Sequence, residues 1–243
     1  MPRLALISDV HANIDALESV LADIDSQGVD EIFCLGDIVG YGAAPSECLE
    51  LVRSRCSITV MGNHDRMASE QGIIQALERV SAPIRYAREK LSKEQIEWLK
   101  ELPMVVEKEG LTLVHSSLHE PEEFNYVLWK EDARLHFQHQ ETPFSFIGHS
   151  HAPVIAIQAP NGITLDVPGV ASITLDPTLR SIINVGSVGQ PRDNYPRACY
   201  GYLNTESLTF SWRRVPYDIK RAQERIKEAG LPWENAARLA TGR

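Results

Sequence analysis

The chain has 243 residues, 43% of them hydrophobic, which is enough for a sizeable core in one large α/β domain. Thirty-three acidic side chains against 24 basic ones give a formal charge of −9. That balance argues against a general binder of nucleic-acid polymers, although bound divalent cations can invert the field locally.

The opening residues, MPRLALISDV, carry too short an apolar run for a signal peptide, and no run approaches the roughly 18 apolar residues of a bilayer span. A cytoplasmic location is expected. Leu4–Ser8 reads as a first strand, followed by an amphipathic helix over Ile14–Ile24 that Gly28 ends. Glu31–Leu35 is a second strand, Pro45–Arg53 a helix and Ser57–Met61 a third strand. This β-α-β-α-β rhythm implies parallel strands with right-handed crossovers. Cys34 lies in an apolar run and reads as a buried free thiol, since the four cysteines show no paired short spacing.

Arg66–Leu102 looks helical, with Ser92 and Gln95 as a capping box that opens its last helix. Met104–Glu107 and Leu111–His115 then read as a hairpin. Further strands are expected over Phe144–Ile147, Val154–Gln158, Ile163–Asp166, Ser181–Val185, Cys199–Asn204 and Leu208–Val215. The tail is helical over Tyr217–Ala229 and Trp233–Ala240, broken at Gly230 and Pro232. Two packed sheets flanked by helices account for this mixture. One domain over 1–243 is expected, with 217–240 as an appendage.

Five of the eight histidines, His11, His64, His115, His149 and His151, lie at or just beyond the ends of expected strands. They sit in SDVH at 8–11, MGNHD at 61–65, LVHSS at 113–117 and IGHSH at 147–151, joined by LGDIVGYG at 35–42. Ligands of open α/β sheets gather outside the carboxyl ends of strands, so distant side chains can converge there. Imidazole with carboxylate suits Mn, Fe, Co, Ni or Zn better than Mg or Ca. Any one segment alone has a bland explanation: Gly36-Asp37 as a turn, Asn63 as a cap. All five in this order predict a shared metal site.

As a set, these segments resemble the calcineurin-like metallophosphoesterase superfamily, with its D-x-H, G-D, G-N-H-D/E, H and G-H-x-H. The likeness spans residues 8–151, and INVGSVGQPRD at 183–193 is similar to a small bacterial and archaeal branch. Some members of that branch are described as diadenosine tetraphosphate hydrolases or phosphodiesterases. The resemblance implies a four-layer α-β-β-α sandwich of two mixed sheets and a pair of divalent ions, with Mn favoured. It assigns Asp9, His11 and His151 to the first ion and Asn63, His115 and His149 to the second, bridged by Asp37. It makes His64 the proton donor to the leaving group.

The chain departs from the protein-phosphatase branch, which carries G-D-x-x-D-R-G where this sequence has Gly36-Asp37-Ile38-Val39-Gly40-Tyr41-Gly42. The acid that would orient His64 is therefore missing, and Asp65 is the nearest substitute. Ser116 follows His115 where many relatives have Gly; it is small enough that no loss of the site is expected. Candidate substrate contacts are Arg66, Arg192 and Tyr41, the last as a base-stacking or a wall residue. Backbone N–H groups of Gly186–Gly189 either approach a phosphate or form a plain turn. His119, His136 and His139 are expected to be solvated. A small phosphorylated substrate is expected, such as a nucleotide-type phosphodiester or a dinucleoside polyphosphate. A broad phosphomonoesterase, a nuclease and a non-catalytic scaffold are the rivals.

Overall fold

Alternation along the first strand decides the layering. Leu4 and Leu6 point into one apolar cluster, while Ala5 and Ile7 point into another. The computed structural model describes residues 2–70, 72, 76–167 and 171–243.

In chain order the elements are β1 (Arg3–Ile7), α1 (Ile14–Ser26), β2 (Glu31–Cys34), α2 (Pro45–Arg55), β3 (Ile58–Thr59), α3 (Asn63–Ser69), α4 (Glu78–Lys90) and α5 (Lys93–Lys100). There follow β4 (Val105–Lys108), β5 (Leu111–Val114), α6 (Lys130–His139), β6 (Phe144–Ile147), β7 (Val154–Ala159) and β8 (Gly162–Asp166). The chain continues through β9 (Ser172–Thr174), β10 (Arg180–Asn184), β11 (Ala198–Asn204), β12 (Thr209–Val215), α7 (Ile219–Glu228) and α8 (Trp233–Leu239).

They form two mixed six-stranded sheets, ordered β3-β2-β1-β11-β12-β9 and β4-β5-β6-β10-β7-β8. Strands β1, β2 and β3 are parallel, as are β5, β6 and β10. Leu4, Leu6, Phe33, Phe146, Ile183 and Phe210 fill the space between the sheets. Helices α1, α2, α4 and α5 cover the outer face of the first sheet through Leu17, Leu49, Ile84 and Leu99. Helix α6 covers the second through Ala133 and Phe137. The expected four-layer α-β-β-α sandwich is what forms. Among the described residues, no helix is long and apolar enough to cross a membrane.

The differences have local causes. The third strand keeps only Ile58–Thr59 in the ladder, because the Met61 N–H turns away to the Pro103 carbonyl. The 66–102 stretch divides into separate helices; extended backbone at Glu70 and at Leu91 ends α3 and α4. The capping box of Ser92 and Gln95 is present. Strand β9 escapes a sequence reading because its three residues form a short edge strand. His136 is fully buried rather than solvated: its Nδ1 accepts the Leu118 N–H at 3.1 Å, and Nε2 pairs with Ser145 Oγ at 2.9 Å. His119 is half-buried and His139 exposed.

One polar network ties the first sheet to its helices. Asp23 of α1 accepts from Tyr200 Oη at 2.7 Å and from Arg213 Nε at 2.8 Å. The Arg213 hydrogen bond, helped by Tyr200 and opposed by burial, holds the Asp23 carboxyl below its usual 3.8. Hydrogen bonds to charged groups contribute about 1.5–3 kcal/mol. Asp23→Asn is expected to lower the melting temperature at pH 7 by roughly 3–10 °C for a chain of this size. Because the folded-state value is depressed, the stabilisation is complete above pH 3.8 and fades as the pH falls through the lowered value. Melting curves of both proteins at pH 7 and in acid should therefore converge; a gap unchanged in acid would refute the ionic origin.

Candidate metal centre

Strained backbone concentrates where the two sheets' strands end. Asp9, His11, Asp37, Tyr41, His149 and His151 all have φ between +48° and +65°. Asp and His tolerate this left-handed region better than most residues, and such strain clusters at functional sites. Asp9 and His11 follow β1, Asp37 follows β2, His115 follows β5, and His149 and His151 follow β6. Asn63 opens α3 just beyond β3.

Other groups hold these loops from behind. The Asp65 carboxylate accepts the N–H groups of Asp37, Ile38, Val39 and Gly62 at 2.7–3.2 Å. Asp65 therefore braces the Asp37 loop and does not orient the His64 ring. The Gly186–Gly189 loop braces Asp9: the Val188 and Gly189 N–H groups donate to the Ser8 and Asp9 carbonyls at 2.9 Å, as does Ser187 Oγ to Asp9. With the Gly186 N–H donating to Asn184 Oδ1 at 2.9 Å, three of the loop's four N–H groups are spent within the protein, which favours the plain turn over a phosphate cradle. Gly62 is required for close approach, because a Cβ there would lie 2.2 Å from the Asp37 backbone N and Oδ1. Ser116 fits, being buried in place behind His115.

Seven side chains converge. Donor atoms of Asp9, His11, Asp37 and His151 lie within 4.8 Å of one another, as do those of Asp37, His115 and His149. Asp37 belongs to both groups. Asn63 Oδ1 stands 3.3 Å from His115 Nε2, so it joins the second.

Proton accounting tests whether a cation fits. His11 Nδ1 donates to the Val39 carbonyl at 3.0 Å, and His151 Nδ1 donates to the Gln190 carbonyl at 2.6 Å. Burial holds both imidazoles neutral, well below the usual 6.5. Each Nε2 is then a bare lone pair, yet the two face each other at 3.1 Å. Asp9 Oδ1 lies 3.3 Å from one and 3.9 Å from the other, and is buried without a hydrogen-bond partner. Two donors ~2.1 Å from one ion at octahedral or tetrahedral angles stand about 3.0–3.4 Å apart. A divalent cation between them would take up both lone pairs and the Asp9 oxygen, which a proton shared by the two nitrogens would leave without a partner.

The second group follows the same plan. His115 Nδ1 donates to the Leu35 carbonyl at 2.7 Å, and Nε2 faces Asp37 Oδ2 at 3.4 Å. Against burial, the Asp37 charge and hydrogen bond raise His115 to about 9. Burial lowers His149 to about 3 and raises Asp9 to about 7.

His64 is buried but belongs to neither group. Its ring packs against Tyr41 and His11, with centroids 4.6 and 4.7 Å away. Its Nδ1 has no hydrogen-bond partner and faces Gly40, where a Cβ would come within 2.2 Å of it. Tyr41, itself buried against His11 and His64, is a wall residue rather than a stacking platform. Arg66 is engaged with Glu70 at 2.7 Å and with the Glu122 carbonyl at 2.9 Å. Arg192 lies over the Tyr41 ring at 5.5 Å, with its Nε buried and unpartnered. Tyr126, which no local pattern marks, stacks on His149 with centroids 4.0 Å apart.

The profile of the calcineurin-like phosphoesterase superfamily domain matches residues 3–208. An uncharacterized protein of Methanocaldococcus jannaschii is 35% identical over 247 residues, covering 99% of this chain and 98% of its own. The crystal structure of a metallophosphoesterase from Sphaerobacter thermophilus superposes with a TM-score of 0.90 at 37% identity, covering 100% of this chain and 99% of that one. A symmetrical bis(5'-nucleosyl)-tetraphosphatase of Pasteurella multocida is 30% identical over 122 residues, which are 46% of this chain and 43% of that protein.

Proposed function

Since the chain belongs to the calcineurin-like phosphoesterase superfamily and carries its metal-dependent phosphoester-hydrolysing chemistry, we propose that its substrate is a small nucleotide-type phosphodiester or a dinucleoside polyphosphate. The observation that carries this reading is the pair of unprotonated Nε2 atoms of His11 and His151, facing each other beside an orphaned Asp9 oxygen. Asp9, His11 and His151 would hold the first cation and Asn63, His115 and His149 the second, with Asp37 belonging to both groups. Manganese is the ion the family resemblance favours, and the donor set of imidazole with carboxylate suits Mn, Fe, Co, Ni or Zn. Two divalent cations bound here supply Lewis acidity and an acidified water.

The remaining steps fall to the chain's own side chains. His64 gives a proton from Nε2 to the departing alkoxide, which leaves opposite the incoming nucleophile. Burial, opposed by Asp37, holds the resting imidazole at about 4. Arg192 is a better candidate than Arg66 for an additional phosphate, because Arg66 already has a carboxylate partner, whereas Arg192 donates to the neutral Gln190 side chain and its Nε is unpartnered. The whole chain acts as one unit, since α7 and α8 pack against Ala43, six residues after Asp37. A cytoplasmic setting agrees with four free cysteines.

Relatives matched over less than half of their own length (43% for the one from Pasteurella multocida) include symmetrical bis(5'-nucleosyl)-tetraphosphatases, which favours a phosphoanhydride-bearing nucleotide. The protein loaded with Mn²⁺ is expected to cleave bis-p-nitrophenyl phosphate faster than p-nitrophenyl phosphate. EDTA should abolish the activity and Mn²⁺ restore it. Preference for the monoester would favour the phosphomonoesterase alternative, and silence with Mn²⁺, Co²⁺, Ni²⁺ and Zn²⁺ alike would sink the reading.

A further inference from the structure

The loop between β5 and α6 carries an aromatic ring to the edge of the candidate centre and leaves one side of it open. Tyr126 lies nearly parallel to the His149 imidazole, with 23° between the planes and 4.0 Å between the centroids. That contact covers one face of the phenol, yet the residue is 46% exposed, so the outer face meets water. Two residues earlier, Phe124 meets the His115 ring edge-on at 5.9 Å. The loop is anchored on both sides of Tyr126. Before it, the Glu122 carbonyl accepts from Arg66 Nη1 at 2.9 Å; after it, Asp132 Oδ2 accepts the Leu128 and Trp129 N–H groups at 3.0 and 2.9 Å. Glu120 and Phe124 have φ of 50° and 51°, and left-handed backbone at such residues is strain of the kind that gathers at ligand sites.

Beside Tyr126 opens a cleft of about 400 Å³, lined also by Ser117, Glu120, Asn125, Asp132 and Leu135. That volume falls within the range of small-ligand sites. Its charges have the wrong sign for a further phosphate, because Glu120 and Asp132 bring carboxylates and no lysine or arginine lines it. A flat, uncharged group with hydrogen-bonding edges suits it better. Any base has a π-face that can stack on an aromatic ring. The Asn125 amide offers both an acceptor and donors to a base edge, and a carboxylate such as Glu120 is a common partner for ribose hydroxyls.

We propose that the outer face of Tyr126 is the stacking platform for the base of the substrate's nucleoside, with this cleft as its pocket. The platform deepens the nucleotide reading given above and rests on it. A bound base completes a stack of three rings with Tyr126 and His149, one ring beyond a residue of the second metal-holding group. Tyr126 touches the base and no reacting atom, so it acts as a specificity-determining residue. It selects which phosphoester is held and leaves the bond-breaking step to the centre.

The test compares AMP with ribose 5-phosphate, which lacks only the base, by equilibrium dialysis against the Mn²⁺-loaded protein. Wild type should bind AMP more tightly. Tyr126→Ala should weaken AMP at least about fivefold, the lower end of what a base–aromatic stack contributes, and ribose 5-phosphate no more than about twofold. Tyr126→Phe keeps the ring and should stay within about twofold of wild type for AMP. Tyr126→Leu keeps apolar bulk without a π-face and should behave as Tyr126→Ala. Elemental analysis should find the same metal content in all three, because a ring that only supported His149 would, once removed, weaken both ligands alike. Equal losses for the two ligands, no loss in Tyr126→Ala, or wild-type AMP binding in Tyr126→Leu would each overturn the platform. Dialysis needs no turnover, so a wild type that prefers AMP but cleaves no nucleotide would defeat the hydrolytic reading and leave the platform standing. One that cleaves nucleotides without preferring AMP to ribose 5-phosphate would do the reverse.

Discussion

Asp37→Ala should empty both ion positions at once, whereas Asp9→Ala and His149→Ala should each weaken one. The reason is geometric: Asp37 alone supplies a donor to both clusters. Its Oδ2 lies 3.6 Å from His11 Nε2 and 3.4 Å from His115 Nε2, while Oδ1 accepts the His64 N–H at 2.8 Å. Burial alone would raise this carboxyl, but His115, His64 and His11 outweigh it, so Asp37 is held well below the usual 3.8 and is anionic at any working pH. The variant should drop from about two ions per chain toward none. Turnover should fall at least about 100-fold, the upper range for loss of a single supporting partner of a metal. Asp37→Asn keeps the shape and the His64 contact, and should lose metal nearly as completely, which isolates charge as the cause. Elemental analysis after gel filtration, with circular dichroism to confirm folding, reads the result. Two ions retained in folded Asp37→Ala would remove the shared carboxylate from the scheme.

The residues of the two candidate metal-holding groups were legible because chemistry and local structure agree at each of them. Asp9, Asp37, His115 and His149 each follow an apolar strand, and strand ends are where an α/β sheet gathers its ligands. The layers were legible for a similar reason, since β1 and β2 show which residues face which cluster. Adjacency in sequence misled at Asp65. It is next to His64, but the two occupy successive positions of α3, and side chains one residue apart on a helix do not face each other. Its carboxylate instead folds back over the helix start onto four N–H groups. His136 could have been recognised as buried, because Ala133, His136 and Phe137 fall at i, i+3 and i+4 on one face of α6. The polar letters around it hid that stripe. Tyr126 gave no local sign, because its place against His149 depends on how the 119–128 loop settles on the sheets. Tertiary packing decides such positions, and no period in the sequence encodes it.

His64→Ala should leave the ion content intact and still lower turnover by about 10²–10⁴-fold on substrates with alkoxide leaving groups, the usual range for a positioned general acid. The first half follows from its absence from both clusters. The second follows from where its proton can go. Nδ1 is sealed against Gly40 with no partner, so Nε2 is the nitrogen left to exchange a proton with the substrate. A nitrophenolate leaves without help at neutral pH, so bis-p-nitrophenyl phosphate should be cleaved with a much smaller loss than an alkyl ester. The pH profile adds an independent sign. An acid must be protonated to work, so the wild-type kcat should fall as the pH rises through the His64 value in the substrate complex. That alkaline limb should be missing in His64→Ala. A structural role would slow all substrates alike and leave the shape of the profile unchanged. Equal losses on alkyl and nitrophenyl esters, with the limb still present, would place the proton donor elsewhere.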